Sequence, residues 1–184
     1  MILSNQEARK IINLNPKGLI DVDIAERQFK VIVKGFNHLN QSKNNFLYIA
    51  DEVGLGKTYI ALGIASLLRH FSSNKEHYKD CIIVPKKNLQ SKWRKEIRNF
   101  ISNNYLLECN IVKTPLGTSV GLCEDVNIHP RLEYVGRENP SYEIFRNSSF
   151  SISASSDDWR EKLIDQLPES VAYIFKAAIE RFKT

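Results

Sequence analysis

Eight consecutive residues, Asp51-Glu52-Val53-Gly54-Leu55-Gly56-Lys57-Thr58, constrain the fold of this chain more than any other segment. They follow a short apolar run, Phe46 to Ala50, and precede a helix-like stretch, Tyr59 to Leu68. A buried strand, a glycine-containing turn and a helix start, in that order, are the setting of a phosphate-binding loop. Successive backbone N–H groups in such a turn make an anion nest, and the helix N-terminus adds partial positive charge. In that setting the Lys57 ammonium reaches the β- and γ-phosphates of a nucleoside triphosphate, and the Thr58 hydroxyl ligates Mg2+. The plainer reading is a glycine turn that joins a strand to a helix and binds nothing.

On either side of the loop the chain alternates between helical and strand-like patterns. Ala8, Ile11, Ile12 and Leu14 give residues 6–15 a short helical face that ends near Pro16. Ile24 to Leu39 predicts a longer helix with Asp23 as its N-cap, its apolar positions including Phe29, Ile32, Val33 and Phe36. The helix after the loop covers residues 57–71. Cys81 to Val84 reads as a second buried strand, stopped by Pro85. Asn88 to Phe100 is then a helix with Leu89, Trp93, Ile97 and Phe100 on one face. Leu106 to Val112 is a third strand. This β-α-β-α-β order predicts a parallel sheet with right-handed crossovers. Residues 113–147 carry Pro115, Gly117, Gly121, Pro130, Gly136 and Pro140 and read as an irregular insertion. Phe150 to Ala154 is a candidate fourth strand, followed by helices over residues 157–166 and 170–182, broken at Pro168.

At 184 residues the chain is one domain by length, and 42% hydrophobic residues exclude a disordered chain. No apolar run approaches the roughly 20 residues of a transmembrane helix, so no membrane role is expected. Met1 to Glu7 lacks the basic-then-apolar plan of a signal peptide. Cys81, Cys109 and Cys123, an odd number at unpatterned spacing, fit reduced packing residues of a cytoplasmic protein better than disulfides or a zinc site. A net charge of +5 tolerates an anionic partner such as nucleic acid without requiring one.

The loop has Asp51 where the plain phosphate-loop pattern has glycine, and its glycines are Gly54 and Gly56. That x-x-x-G-x-G-K-T spacing resembles motif I of superfamily-two helicases and translocases, and D-E-x-G-L-G-K-T looks like the Swi/Snf-type branch. The resemblance implies that the loop Asp51, Glu52, Val53, Gly54, Leu55, Gly56, Lys57 and Thr58 binds ATP with Mg2+ held at Thr58. It also implies an upstream glutamine that reads adenine. Gln28, 29 residues before Lys57, fits by spacing and residue type, since an amide accepts and donates at once. Arg27 stands where the family usually has an aromatic residue, and a surface glutamine on an amphipathic helix is the alternative.

Ile82-Ile83-Val84-Pro85, followed by a helix carrying Trp93 and Glu96, is similar to motif Ia. By that likeness Lys86 and Lys87 face the phosphate backbone of DNA, where charge without base-reading groups suits movement along any sequence. The alternative is a solvated basic helix face. Phe150-Ser-Ile-Ser-Ala-Ser-Ser156 resembles motif Ib, or equally a serine cap for the next helix. No apolar strand ends in the Asp-Glu pair that would hold Mg2+ and orient water, and no second lobe with an arginine finger follows.

The reading is an α/β RecA-like phosphate-loop NTPase lobe, a parallel sheet with flanking helices, incomplete before motif II. Residues 1–22 are an N-terminal extension, 23–112 the ATP-binding core, 113–147 the insertion, and 148–184 the motif Ib strand with two helices. The implied function is the N-terminal part of a Swi/Snf-like, DNA-dependent ATPase that needs a second RecA-like lobe, the isolated chain being inactive. The rivals are a small nucleotide-binding regulatory protein without turnover and an unrelated phosphate-loop kinase.

Overall fold

The computed structural model describes residues 2–18, 20–41, 46–50, 56–73, 78–106, 111–113, 119–129 and 140–150. The chain divides into two compact units, Met1–Ser149 and Phe150–Thr184, and the first contains all the described residues but Phe150.

Helices supply most of the first unit's apolar body. Helix α1 (Asn5–Ala8) is a single turn closed by a capping box, in which Ser4 and Glu7 satisfy each other's backbone N–H groups. Helix α2 (Val22–Gln41) begins at Asp21, whose Oδ1 accepts from the N–H groups of Asp23 at 2.8 Å and Ile24 at 3.3 Å. The cap is therefore Asp21, and Asp23 sits inside the first turn, where its charge still favours the positive helix end. Helix α3 (Lys57–Phe71) matches the expected span. It packs on α2 through glycines: a Cβ on Gly63 would overlap Ile32, and one on Gly35 would lie 2.7 Å from Ile64 and 2.9 Å from Leu47. Strand β1 (Asp80–Val84) follows, then helix α4 (Lys87–Asn104), longer than expected at both ends, burying Ile97, Phe100 and Ile101. Trp93 and Leu89 pack against the same core.

The sheet departs from expectation after α4. Tyr105 bridges back to Ile12, and the Leu106 N–H donates to Ile11 O at 2.9 Å, so this stretch pairs with the N-terminal segment. Strand β2 (Ile111–Lys113) pairs antiparallel with β3 (Ser119–Gly121) in a separate two-stranded sheet. The expected third parallel strand at Leu106 to Val112 is thus not one, and its middle, residues 107–110, lies outside the described residues. The parallel partners come instead from the stretch read as irregular. They are β4 (Val126–Ile128) and β5 (Tyr142–Arg146), in the order β1-β5-β4. Strand β5 is central, aligned so that Asp80 pairs with Tyr142 and Val84 with Arg146. A 3-10 turn, Asn147–Phe150, ends the described chain; of the expected strand there, only Phe150 is described.

Strand β1 carries one buried and one open face. Val84 is buried, Ile82 packs against the core, and Cys81 and Ile83 are exposed. Cys81 is thus a free surface thiol, whereas Cys123 packs as expected; Cys109 lies outside the described residues. Phe46 to Ala50, the expected first strand, is in no ladder among the described residues, yet its exposure alternates as in a strand, Leu47 and Ile49 inward, Phe46 and Tyr48 outward. No helix among the described residues is long and apolar enough to cross a membrane.

The N-terminal segment belongs to the core. Ala8, Ile11, Ile12 and Leu14 are all buried, although only four residues are helical. Asparagine side chains fasten it. Asn37 exchanges two hydrogen bonds with the Leu3 backbone, at 2.7 and 2.9 Å, and Asn104 Nδ2 donates to Asn13 O at 2.8 Å.

One buried cation joins helix to sheet. Arg69, in the last turn of α3 and 5% exposed, donates to Asp80 Oδ2, Tyr78 O and Ser141 O at 2.9–3.0 Å. Its guanidinium also lies over the rings of Tyr78 and Tyr142, at 4.9 and 4.8 Å. Burial pushes the Asp80 carboxyl above its ordinary value, with Arg69 opposing the shift, and burial raises the Tyr78 phenol to about 12.

Arg69→Met is expected to destabilise the fold by about 3–5 kcal/mol in urea unfolding, because it strands the Asp80 carboxylate in the interior. Adding Asp80→Asn should recover part of that loss. At the opposite extreme, Glu7 and Glu26 are exposed carboxylates held below their ordinary value of 4.5, chiefly by hydrogen bonds from Ser4 and Arg9 respectively. A lowered folded pKa means stability that is present above 4.5 and is lost as pH falls through the folded value. Carboxyl NMR titration should therefore find Glu7 and Glu26 ionising below 4.5, with the α1 capping box opening over the same interval.

Candidate functional site

Helix α3 starts at a glycine. Gly56 is its N-cap, in the left-handed region at φ 78° and ψ 28°, where glycine alone is unstrained. No side chain caps the helix and no acidic residue lies in its first turn. Among the described residues, the first-turn N–H groups and the positive helix end therefore have no side-chain cap and no first-turn carboxylate. Lys57 and Thr58, half-buried, open the helix. Asp51, Glu52, Val53, Gly54 and Leu55 lie outside the described residues.

Gln28 comes to the same place from α2. Its side-chain amide fills the space where a Cβ on Gly56 would sit, the amide carbon 3.1 Å from that position. A glutamine and a glycine far apart in sequence are thus neighbours because α2 and α3 pack face to face. Glycine at 56 is required by the left-handed backbone, and a side chain there would also displace the flexible end of Gln28.

The second cluster lies where β1 and β5 end. Lys86 and Lys87 are exposed, Lys86 being the N-cap of α4 with no side-chain hydrogen bond into the helix. Sequence reasoning missed the neighbouring strand end. Val84 pairs with Arg146, so Arg146, Asn147 and Ser148 leave the sheet beside Pro85, Lys86 and Lys87. Arg146 Nε is buried with no hydrogen-bond partner among the described residues. Gln90, 2% exposed, ties the region together: its Nε2 donates to His129 O at 3.1 Å and Ile144 O at 2.9 Å. Ser149 Oγ donates to the same His129 carbonyl at 3.1 Å and accepts from the Arg146 N–H at 3.2 Å. The available signal was a cation closing an apolar run, Ile144-Phe145-Arg146. Among the described residues no group of three or more His, Cys, Asp or Glu gathers to hold a metal.

A small parallel three-stranded sheet with helices packed on it, and with Gly56 opening α3, is consistent with part of a RecA-like lobe. The family model of the type III restriction enzyme res subunit matches residues 21–140, and the chain belongs to that family. Comparison with curated proteins and with solved structures finds no match. The matched span holds α2, α3, β1 and α4, and with them Gln28, Gly56, Lys57, Thr58, Lys86 and Lys87. Membership implies ATP-dependent, helicase-type work on nucleic acid.

Gly56→Ala is expected to cost about 1–3 kcal/mol by thermal unfolding, from strain at positive φ plus expulsion of the Gln28 amide. If the second cause operates, Gln28→Ala in the same chain should relieve part of the loss.

Proposed function

We propose that this chain is the ATP-binding N-terminal part of a superfamily-two DNA translocase of Swi/Snf type. The observation that carries the reading is the meeting of Gln28 and Gly56 at the uncapped N-terminus of α3. It supports a site with phosphate recognition at one end and base recognition at the other. The donor set suits the ligand. First-turn N–H groups and the Lys57 ammonium favour polyphosphate, the Thr58 hydroxyl is a hard oxygen ligand for Mg2+, and the Gln28 amide offers both an acceptor and a donor to an adenine edge. ATP with its Mg2+, when bound, supplies the free energy of the cycle.

Lys86 and Lys87, with Arg146 beside them, hold the nucleic-acid backbone by charge. This registers position without reading sequence, as a translocating enzyme requires. The D-E-x-G-L-G-K-T form of the loop supports the Swi/Snf branch, and duplex DNA is the substrate that branch implies. A second RecA-like lobe is the partner that would complete the charge stabilisation of phosphoryl transfer.

Calorimetry with ATP·Mg should show binding by the parent chain and none by Lys57→Ala. Equal binding by both would remove the phosphate site. For the DNA face, Lys86→Ala with Lys87→Ala should weaken duplex binding evenly across sequences and reduce the log–log salt slope by about 2.

A further inference from the structure

We infer that the outer face of α4 is a second surface for the phosphate backbone of nucleic acid, running away from the strand ends along the helix. It extends the reading of Lys86 and Lys87 as backbone contacts and is independent of the phosphate loop. Helix α4 has eight exposed residues. At about 100° per residue they all fall within an arc of roughly 140°. Four are cations, Lys87, Lys92, Lys95 and Arg98. The other four, Asn88, Ser91, Asn99 and Ser102, are neutral hydrogen-bonding groups. Arg94, at the border of the arc, is half-buried, its Nε without a hydrogen-bond partner among the described residues. Glu96, the only acid in the helix, lies outside the arc. Burial raises the Tyr59 phenol above its ordinary value and Glu96 adds to that rise, so this carboxylate lies on the side of α4 toward α3. Among the described residues, no α4 cation forms an ion pair.

A helix face that meets only water commonly interleaves acids and bases, because opposite charges three or four residues apart support the helix and like charges oppose it. On α4 the spacing works against the helix. Lys92 and Lys95 are three apart, Lys95 and Arg98 three apart, and Arg94 and Arg98 four apart. Lys86 and Lys87 stand at the positive end of the helix, with no acid in its first turn. A polyanion laid along the arc relieves these repulsions together. From Lys87 to Arg98 the cations cover about 16 Å of helix axis. Over that length duplex DNA presents roughly ten charges, at one per about 1.7 Å. Arg98 is already positioned: its Nε donates to Cys123 O at 3.3 Å, using one guanidinium donor and leaving the others for an anion. The serines and asparagines between the cations are side chains of the kind that bond phosphate oxygens. No aromatic or aliphatic side chain lies on the arc. An acidic protein partner would need such anchors at the centre of its contact, and a phosphate backbone does not.

The test is fluorescence anisotropy of a labelled mixed-sequence DNA duplex with the full chain over a salt series. Lys92→Gln with Lys95→Gln and Arg98→Gln should weaken binding about tenfold or more at about 50 mM salt and lower the log–log salt slope by about 3. Lys92→Gln with Lys95→Gln alone, which keeps the Arg98 bond to Cys123, should lower the slope by about 2. Glutamine is a good helix former, so circular dichroism should show both variants folded. Lys10→Gln with Lys30→Gln and Lys34→Gln removes the same charge from exposed positions elsewhere and should leave the slope near that of the parent. Equal losses in this control overturn the inference, since net charge alone would then set the affinity. An unchanged slope in both α4 variants also overturns it, and a loss confined to Lys86→Ala with Lys87→Ala then leaves the strand-end contacts standing without it. The converse, loss in the α4 variants and none in the Lys86 and Lys87 variant, keeps the helix face and removes the strand-end reading. If polyglutamate binds the parent more tightly than the duplex and loses that affinity in the α4 variants, the face serves an acidic protein and the inference falls. No duplex binding by the parent removes both surfaces.

Discussion

The Arg69 guanidinium is the constraint on which the rest of the first unit depends. It comes from the last turn of α3 and is bonded to Asp80 at the start of β1, to Tyr78 just before it, and to Ser141 just before β5. The two strands also meet there directly, the Asp80 N–H donating to Ser141 O at 2.9 Å. A dry ion pair of this kind is weak evidence for net stability, but it is strong on geometry, because any slip of helix against sheet leaves a charge unpaired in the interior. Its effect reaches well beyond its neighbours. Helix α3 spans 15 residues, so a helix fixed at Arg69 carries its other end, Gly56, on a rigid rod about 20 Å long.

The helices were legible in the sequence because their signals are local. Apolar spacing gave α3 its span and α4 most of its length, and the glycine-lysine-threonine run gave the helix start. What was not legible depends on partners distant in sequence. Strand β5 was hidden by Glu143, a charge in mid-strand, and by the prolines and glycines around it. Its assignment rests on pairing with β1, roughly sixty residues upstream in the register of Asp80 with Tyr142. The N-terminal segment looked like an appendage because asparagines, which carry no periodic signal, attach it. The cap of α2 fell two residues from the expected one because Asp21 and Asp23 are chemically equivalent candidates, and only the backbone decides between them.

The candidate site divides along the same line. Lys57, Thr58, Lys86 and Lys87 could be named from motif and position. Arg146 could not, since its relevance comes from β5 ending beside β1. Gln28 was a matter of spacing alone; its contact with the space at Gly56 is a property of helix packing. The buried Gln90 is the least visible in sequence, a polar residue among the buried apolar residues of α4 whose two carbonyl partners are His129, just after β4, and Ile144 in β5.

The open face of β1 has a consequence for how this protein behaves in solution. Ile83 lies 57% exposed on a strand that pairs on only one side among the described residues. Apolar strand edges of this kind recruit other chains. The flanking residues resist that tendency: Lys79 precedes the strand, and Pro85, Lys86 and Lys87 follow it. Charge and proline at the borders of an apolar strand act as gatekeepers against edge-to-edge association. The lysines proposed to hold nucleic acid would then also keep copies of the protein apart, so neutralising them by saturation with a polyanion would favour self-association as well as occupancy.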